Sequence, residues 1–330
     1  MEKFLDIMNP QPKVVVIGGG TGLSVLLRGL KEKTENITAI VTVADDGGGS
    51  GRLREDLGML PPGDIRSCLL ALANTEPTMS QLLNHRFSDG ELSGQNFGNL
   101  FIAAMNEIHG SFETAIKETS NVLSITGKVL PVTLADAKLI ASLEDGTLAE
   151  GESKIPSIVR ERNTRIAQMS MTPERSYPLV EAVKSIKEAD LIVLGPGSLY
   201  TSVIPNLLVK NMVLHINKAK APTVYVCNVM TQPGETDRYG VFDHVDAIIK
   251  HSVEGFIDYV IANTEKIPTE VLTKYVTDGA EPVYITLQDE IELKQRKIKL
   301  IEGNLVDIRN DYIRHDTHLL SDLLIGLAKK

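Results

Sequence analysis

Cysteine, tryptophan and long apolar runs are scarce or absent in this chain of 330 residues. Its two cysteines, Cys68 and Cys227, lie in apolar stretches without metal-ligand spacing. That usage argues against a disulfide framework and a zinc site, and it favours a reducing compartment. No apolar run approaches the roughly 18 residues that a membrane-spanning helix needs, and residues 1–12 lack the organisation of a signal peptide. We therefore expect a cytoplasmic protein without a membrane span.

Positive charge is also in deficit. Lysine and arginine number 34 against 43 aspartates and glutamates, which gives a net charge of -9 at pH 7. Such a chain is a poor candidate for sequence-blind nucleic-acid binding, because that binding depends on many contacts between basic side chains and phosphates. We expect no nucleic-acid partner.

The fold class is indicated by strands and helices that alternate along the chain. Val14-Val15-Val16-Ile17 is a run of four β-branched residues, typical of a strand buried on both faces of a parallel sheet. A glycine turn, a helix with leucines at helical spacing and a second strand follow. This βαβ order recurs later in the chain, and it predicts an α/β fold with a Rossmann-like, doubly wound, mostly parallel sheet.

The domain organisation is predicted to be a single domain over residues 1–330, because no proline- or serine-rich linker interrupts the chain. Within it, about 61–124 is predicted to be helical, with Asp64 capping one helix. Residues of about 128–156 alternate in polarity on both sides of Asp145-Gly146. Asp-Gly between such runs is a hairpin signal, which predicts a small antiparallel insert.

A glycine-rich loop, Gly18-Gly19-Gly20-Thr21-Gly22, joins the first strand to the first helix. Without Cβ atoms its backbone can approach a ligand closely, and the unpaired N–H groups of the helix end suit an anion. The loop is not a dinucleotide fingerprint, because Leu23 or Val25 occupies the third glycine position, and it lacks the Lys-Ser/Thr of a P-loop. A nicotinamide oxidoreductase is therefore disfavoured, and a tight turn without a ligand is the alternative.

A second glycine-rich loop, Gly195-Pro196-Gly197-Ser198, follows another buried strand. Because the carboxyl ends of parallel strands lie at one edge of a sheet, we expect the two loops to converge and form a cradle for a diphosphate. Asn228 and Thr231 leave a third strand at this face. Asn96 and Asn99 begin a helix, where their amides could contact a ligand or cap the helix.

Acidic and basic side chains flank these loops. Asp45 and Asp46 end the second strand, where an acid could bond ribose hydroxyls or hold Mg²⁺ bridged to phosphates; helix capping is the alternative. Arg66 could reach phosphate oxygens or form a surface ion pair. No local pairing of serine or cysteine with histidine resembles a nucleophile–base motif, so the sequence predicts an anion-binding crevice without a recognisable nucleophile or base.

Four motifs in order resemble those of the YvcK family, the gluconeogenesis factors of the CofD-like superfamily. They are Gly18–Ser24, Val43–Gly48, Pro61–Arg66 and Gly195–Ser202, and the resemblance extends through Asn228–Gln232 and Gly234–Asp237. It implies a Rossmann-like fold, binding of uridine diphosphate sugars such as UDP-N-acetylglucosamine, and roles in gluconeogenic growth, cell shape and envelope synthesis. A homodimer and protein partners in envelope synthesis are compatible with these roles.

The resemblance also implies roles for particular residues. Tyr275, at the end of a late helix, and Arg314, before a histidine, correspond to residues implicated in binding the sugar nucleotide. The related CofD enzymes move a phospholactyl group from an activated guanosine nucleotide to a deazaflavin, and their transfer site corresponds to Asp45 and Asp46.

Two functions therefore stand: a nucleotide-sugar-binding regulator, or a Mg-assisted transferase in which Asp45 and Asp46 are catalytic. No cofactor other than Mg²⁺ is implied. The candidate ligand-binding residues are Gly18, Gly19, Gly20, Thr21, Gly22, Asp64, Arg66, Asn96, Asn99, Gly195, Pro196, Gly197, Ser198, Asn228, Thr231, Tyr275 and Arg314.

Overall fold

The computed structural model describes residues 11–309 and 312–329, so most of the segment examined for a signal peptide lies outside the described residues. The strands are β1 (Val14–Gly18), β2 (Ile37–Val41), β3 (Lys128–Pro131), β4 (Lys138–Leu143), β5 (Leu148–Glu150), β6 (Ile166–Thr172), β7 (Leu191–Leu194), β8 (Thr223–Val226), β9 (Tyr259–Asn263), β10 (Lys299–Gly303), β11 (Val306–Arg309) and β12 (Tyr312–His315).

The α-helices are α1 (Gly20–Leu30), α2 (Gly48–Leu57), α3 (Gly63–Leu72), α4 (Pro77–Asn84), α5 (Phe97–His109), α6 (Phe112–Val122), α7 (Ile155–Arg162), α8 (Val180–Glu188), α9 (Ile204–Leu208), α10 (Met212–Asn217), α11 (Val241–Lys250), α12 (Thr269–Thr277), α13 (Leu287–Gln295) and α14 (Thr317–Ala328). A π-helical turn, Leu199–Val203, precedes α9. None of the helices in the described part of the chain has the length and apolarity to span a bilayer.

The main sheet has seven parallel strands in the order β10-β9-β8-β7-β1-β2-β3. The central strand, β1, is buried along its whole length, which explains its unbroken run of β-branched residues. From β1 the chain builds β2 and β3 on one side, then returns to β7 and builds outward on the other. This reversal opens a crevice at the carboxyl ends of β1 and β7. The predicted Rossmann-like, doubly wound α/β fold is confirmed.

The antiparallel insert begins later than predicted. Lys128–Pro131 is β3, which pairs parallel with β2 at the edge of the main sheet. The hairpin consists of β4 and β5, and β6 adds a third antiparallel strand well beyond residue 156. The boundary was misplaced because apolar alternation over four residues cannot distinguish an edge strand of a parallel sheet from a hairpin strand.

Helix α1, which carries the first glycine-rich loop at its start, is held in place by α14. At Gly29 the two helices approach so closely that an added Cβ atom would lie 2.5 Å from the carbonyl oxygen of Thr317 and 2.6 Å from Oγ of Ser321. Both atoms belong to the first turns of α14. The small residue at position 29 therefore sets the distance at which α1 docks.

Replacing Gly29 with alanine is expected to lower the free energy of unfolding by about 1–3 kcal/mol, because the added methyl group forces α1 and α14 apart. Gly326→Ala is the matched control. Gly326 is likewise a glycine inside a helix, α14, but an added Cβ there meets nothing within 4 Å. That control should be neutral or stabilising by up to about 1 kcal/mol. Urea unfolding followed by circular dichroism measures both; equal stabilities for Gly29→Ala and the unaltered protein would contradict the packing argument.

Candidate functional site

The two glycine-rich loops touch each other at the carboxyl ends of β1 and β7. A Cβ atom on Gly22 would lie 2.8 Å from the carbonyl oxygen of Pro196 and 3.1 Å from the backbone nitrogen of Gly197. A Cβ atom on Gly197 would in turn lie 3.1 Å from the carbonyl oxygen of Gly19. Because larger residues could not approach so closely, the loops come together only where side chains are missing.

The N-terminus of α1 faces this contact. Its N-cap is Gly19, which has no side chain to cap the helix, and no residue of its first turn is acidic. Gly20 has a φ of +66°, a left-handed conformation that favours glycine. The helix end therefore offers N–H groups and a partial positive charge to an anion.

A cavity of about 370 Å³ lies where the loops meet. Eight of the predicted ligand-binding residues line it: Thr21, Gly22, Pro196, Gly197, Ser198, Asn228, Tyr275 and Arg314. Seven further lining residues were not predicted: Val25, Val229, Met230, Gln232, Tyr312, Ile313 and His315. Three of these seven lie on β12, whose pairing with β11 was also not predicted. Alternation of apolar and polar residues in 306–309 is the signal that could have revealed the first strand of that hairpin.

Tyr275 and Arg314 both line the cavity. The Tyr275 hydroxyl accepts the backbone N–H of Ile313 at 2.8 Å and so ties α12 to β12. Arg314 is exposed, with its guanidinium carbon 5.8 Å from the centre of the Tyr312 ring. Burial, and then the neighbouring charge of Arg314, lower the pKa of Arg28. Two like charges held near each other provide a favourable surrounding for an anion.

His315 is a buried residue of the same lining. Its Nε2 atom lies 3.1 Å from the carbonyl oxygen of Cys227, and burial lowers its pKa to about 4. The ring is therefore neutral near pH 7, where Nε2–H donates to that oxygen. His315 links β12 to the end of β8 and carries no charge to a phosphate.

Two of the predicted contacts are engaged within the fold instead of lining the cavity. Asn96 is the N-cap of α5: its Oδ1 accepts the N–H of Asn99 at 3.2 Å, and its Nδ2 donates to the carbonyl oxygen of Asn84 at 3.1 Å. The Thr231 hydroxyl accepts the N–H of Glu281 at 2.8 Å. Their side chains stabilise local structure, as the capping alternative for Asn96 anticipated.

An acid cluster, Asp45, Asp46, Asp64 and Glu152, borders the first loop on the side of β2, and a further buried acid, Glu235, lies on the loop after β8. Burial, and then Asp45, raise the pKa of Asp64 to about 6. Burial, and then Asp45 and Asp64, raise the pKa of Glu152 to about 8. Burial also raises the pKa of Glu235 to about 7. The crevice thus has an acidic side at β2 and a basic side near Arg314.

The prediction that Asp64 caps a helix is wrong. Pro62 is the N-cap of α3, and Asp64 lies in the first turn. Its carboxylate accepts a hydrogen bond from the backbone of Gly20, and a Cβ atom on Gly19 would lie 2.5 Å from its Oδ2. Because α3 begins before Asp64, the carboxylate is placed beside the glycine-rich loop and supports that loop.

Asp45 and Asp46 have different surroundings. Oδ1 of Asp45 accepts the N–H of Gly47 at 2.9 Å, whereas Oδ1 of Asp46 accepts the N–H of Ser153 in the insert at 2.8 Å. Within residues 11–309 and 312–329, no group of three or more histidine, cysteine, aspartate or glutamate side chains is arranged to hold a metal ion. A Mg²⁺ ion at these carboxylates would depend on phosphate oxygens of a ligand to complete its shell.

Arg66 and Asn99 lie beside the acid cluster with unsatisfied polar atoms. Nε and Nη1 of Arg66 and Oδ1 of Asn99 are buried and have no partner among the described residues. Nη2 of Arg66 contacts only Oγ of Ser67, at 3.4 Å. Buried polar groups are normally paired, so these atoms extend the polar crevice from the first loop towards α5.

Glu152→Gln is expected to raise the melting temperature at pH 8 by roughly 2–5 °C. The pKa of Glu152 in the folded protein, about 8, exceeds the ordinary 4.5. The unfolded chain therefore releases this proton first, and stability falls as the pH rises from 4.5 to about 8. At pH 4 both proteins carry an uncharged side chain and should melt together.

The matched control is Glu150→Gln, which removes an exposed carboxylate two residues away. It should leave the pH dependence of the melting temperature unchanged, as followed by circular dichroism. If Glu152→Gln raises the melting temperature over that of the unaltered protein by no more at pH 8 than at pH 4, the account of the acid cluster is wrong.

Comparison with known proteins places this geometry in a family. The family model described as 2-phospho-L-lactate transferase CofD matches residues 14–306. The gluconeogenesis factor of Bacillus subtilis is 51% identical over 324 residues, covering 98% of this chain and 100% of the relative. The gluconeogenesis factor of Halalkalibacterium halodurans is 47% identical over 313 residues, covering 94% of this chain and 95% of the relative.

A solved structure gives the same result for the fold. The crystal structure of a Bacillus halodurans protein matches this chain with a TM-score of 0.91 and 46% identity, covering 96% of this chain and 100% of that one. The resemblance inferred from the motifs is confirmed: the chain belongs to the CofD family, in its YvcK branch of gluconeogenesis factors.

Proposed function

We propose that this protein binds a nucleotide sugar of the UDP-N-acetylglucosamine type in the crevice and regulates growth on gluconeogenic carbon and cell shape. The observation that carries the proposal is the direct contact between the two glycine-rich loops, with a cavity of about 370 Å³ over it. Ligand-binding clefts usually lie at such a topological switch point of an α/β sheet.

The parts of the cavity correspond to the parts of such a ligand. The N-terminus of α1 and the backbone of Gly197 and Ser198 suit the diphosphate, because N–H groups of helix ends and glycine loops bind phosphate oxygens. Arg314 adds a positive charge at the opposite wall. Val229, Met230 and Tyr312 supply apolar and aromatic surface for a base or sugar ring.

The lining chemistry favours binding over bond breaking. Among the described residues that line the cavity there is no carboxylate, cysteine or lysine, and His315 is neutral and already hydrogen-bonded. A hydroxyl nucleophile such as that of Ser198 would need a general base within reach, and the lining supplies no free carboxylate, lysine or histidine for that role. A regulator that senses the ligand needs only the cradle, and relatives named gluconeogenesis factor support its place in gluconeogenic growth.

Arg314→Ala is expected to weaken UDP-N-acetylglucosamine binding by about 10- to 100-fold, because a charged hydrogen bond to the diphosphate is lost. Tyr275→Phe should weaken it by about 3- to 10-fold, because the hydroxyl that positions β12 is lost. Isothermal titration calorimetry measures both. Arg309→Ala is the matched control: Arg309 lies on the paired strand β11, pairs with Asp307 and does not line the cavity. No binding by the unaltered protein at millimolar ligand would contradict the proposal.

The regulatory part has a separate test. Expression in a Bacillus subtilis strain that lacks its own gluconeogenesis factor should restore growth and rod shape on a gluconeogenic carbon source. Arg314→Ala should restore neither, provided that its fold and abundance are unchanged.

The alternative function is a CofD-type transferase that moves a phospholactyl-like group from an activated nucleotide to an acceptor hydroxyl. The family match and the acid cluster beside the first loop favour it. Direct transfer relies on positioning and charge neutralisation more than on a covalent nucleophile. Asp45 and Asp46 would hold Mg²⁺, which would neutralise charge on the phosphates.

Under this alternative, the double variant Asp45→Asn, Asp46→Asn should lose at least about 100-fold in the rate of nucleotide release, since the charges that stabilise the transition state are removed. Incubation with activated nucleotides and candidate acceptors, followed by chromatography of released nucleotide, measures this. Asp56→Asn, which removes an exposed carboxylate from α2, is the control. Full biological activity in the double variant would rule the alternative out.

A further inference from the structure

Gln232 lies on the loop after β8 and lines the cavity. Its backbone is fixed by a tight turn: the N–H of Gln232 donates to Oγ1 of Thr236 at 2.8 Å, and its carbonyl oxygen accepts the N–H groups of Glu235 and Thr236. Its side-chain Nε2 donates to Oε1 of Glu235 at 2.7 Å. The amide oxygen, Oε1, has no partner in the described part of the chain.

Glu235 determines which way this amide faces. The carboxyl group is buried, with 3% of the residue exposed, and it accepts two further hydrogen bonds. They come from the N–H of Tyr200 at 3.1 Å and the hydroxyl of Thr201 at 3.0 Å. An ionised carboxylate can only accept hydrogen bonds. The NH₂ group of Gln232 must therefore face Glu235, and the amide oxygen is the atom left for a ligand.

We propose that Gln232 is a specificity-determining residue whose amide oxygen accepts the ring N3–H of uracil, and that Glu235 is the positioning residue that fixes this orientation. The inference rests on the proposed function, because it places the base of the nucleotide sugar beside Gln232. It adds a discrimination that the glycine loops cannot make, since backbone contacts to a diphosphate are the same for every nucleotide.

The rest of the cavity agrees with this placement. Val229, Met230, Ile313 and Tyr312 line the same cavity as Gln232 and supply apolar and aromatic surface. A flat pyrimidine ring suits such a slot. A base without a donor at N3 would leave the amide oxygen desolvated and unpaired, which sites built around a hydrogen bond reject strongly.

The orientation of Gln232 depends on pH. Burial raises the pKa of Glu235 to about 7, against hydrogen bonds from Thr201 and the Tyr200 backbone that lower it. The charge of Glu235 in turn helps to raise the pKa of Glu152, from the insert, and of Tyr200, from the π-helical turn. Protonated Glu235 can donate a hydrogen bond to the amide oxygen of Gln232. The NH₂ group of Gln232 then faces the ligand instead of the oxygen. Discrimination should therefore be full above pH 7 and decline as the pH falls below it.

The test compares UDP-N-acetylglucosamine with its N3-methyluracil analogue by calorimetry at pH 8. The unaltered protein should bind the analogue at least about 10-fold more weakly. Gln232→Ala should bind the two ligands with affinities within about threefold of each other, because the acceptor is gone. Gln288→Ala, which removes an exposed amide that donates to Glu292 and does not line the cavity, is the matched control and should keep the full ratio.

Glu235→Gln gives a second readout that a purely structural role would not change. A neutral amide both donates and accepts, so this variant should discriminate less and should lose the dependence on pH between 6 and 8. If the unaltered protein binds both ligands equally, or if Gln232→Ala keeps the ratio, this inference is wrong while the proposed function stands. Failure of UDP-N-acetylglucosamine to bind at all overturns both.

Discussion

The structure depends on one close contact: the backbone of Gly22 against that of Pro196 and Gly197. Any side chain at position 22 would separate β1 and β7 at their carboxyl ends, where the topology of the sheet reverses. Because Gly22 and Gly197 have no side chains, a ligand can approach the backbone around this contact closely. The packing that holds the two halves of the sheet together and the chemistry that suits a diphosphate thus come from the same missing side chains.

The surroundings of this contact divide the crevice by charge. On the side of β2, buried carboxylates oppose one another's ionisation. On the side of β12, Arg28 and Arg314 lie close enough for the charge of Arg314 to lower the pKa of Arg28. An anion over the loops would therefore be attracted towards the arginines and repelled from the carboxylates.

Much of this could be predicted from the sequence, because the informative residues are local. The run from Val14 to Ile17 and the glycines after it indicate strand, loop and helix without knowledge of the rest of the chain. The cavity wall could not be predicted in full, since the β11–β12 hairpin is short and its strands are four residues each. The contact of Asp64 with the first glycine-rich loop was also out of reach, because the two lie on elements distant in sequence.

The position of β1 between β2 and β7 has a consequence for synthesis on the ribosome. One half of the binding crevice emerges with the first strand, but its other half emerges only after the helical segment and the antiparallel insert are complete. Until then β1 has an open edge, which exposed chains can pair with wrongly. The nascent chain can fold the β1-β2-β3 unit early, yet the crevice is complete only when the second half joins.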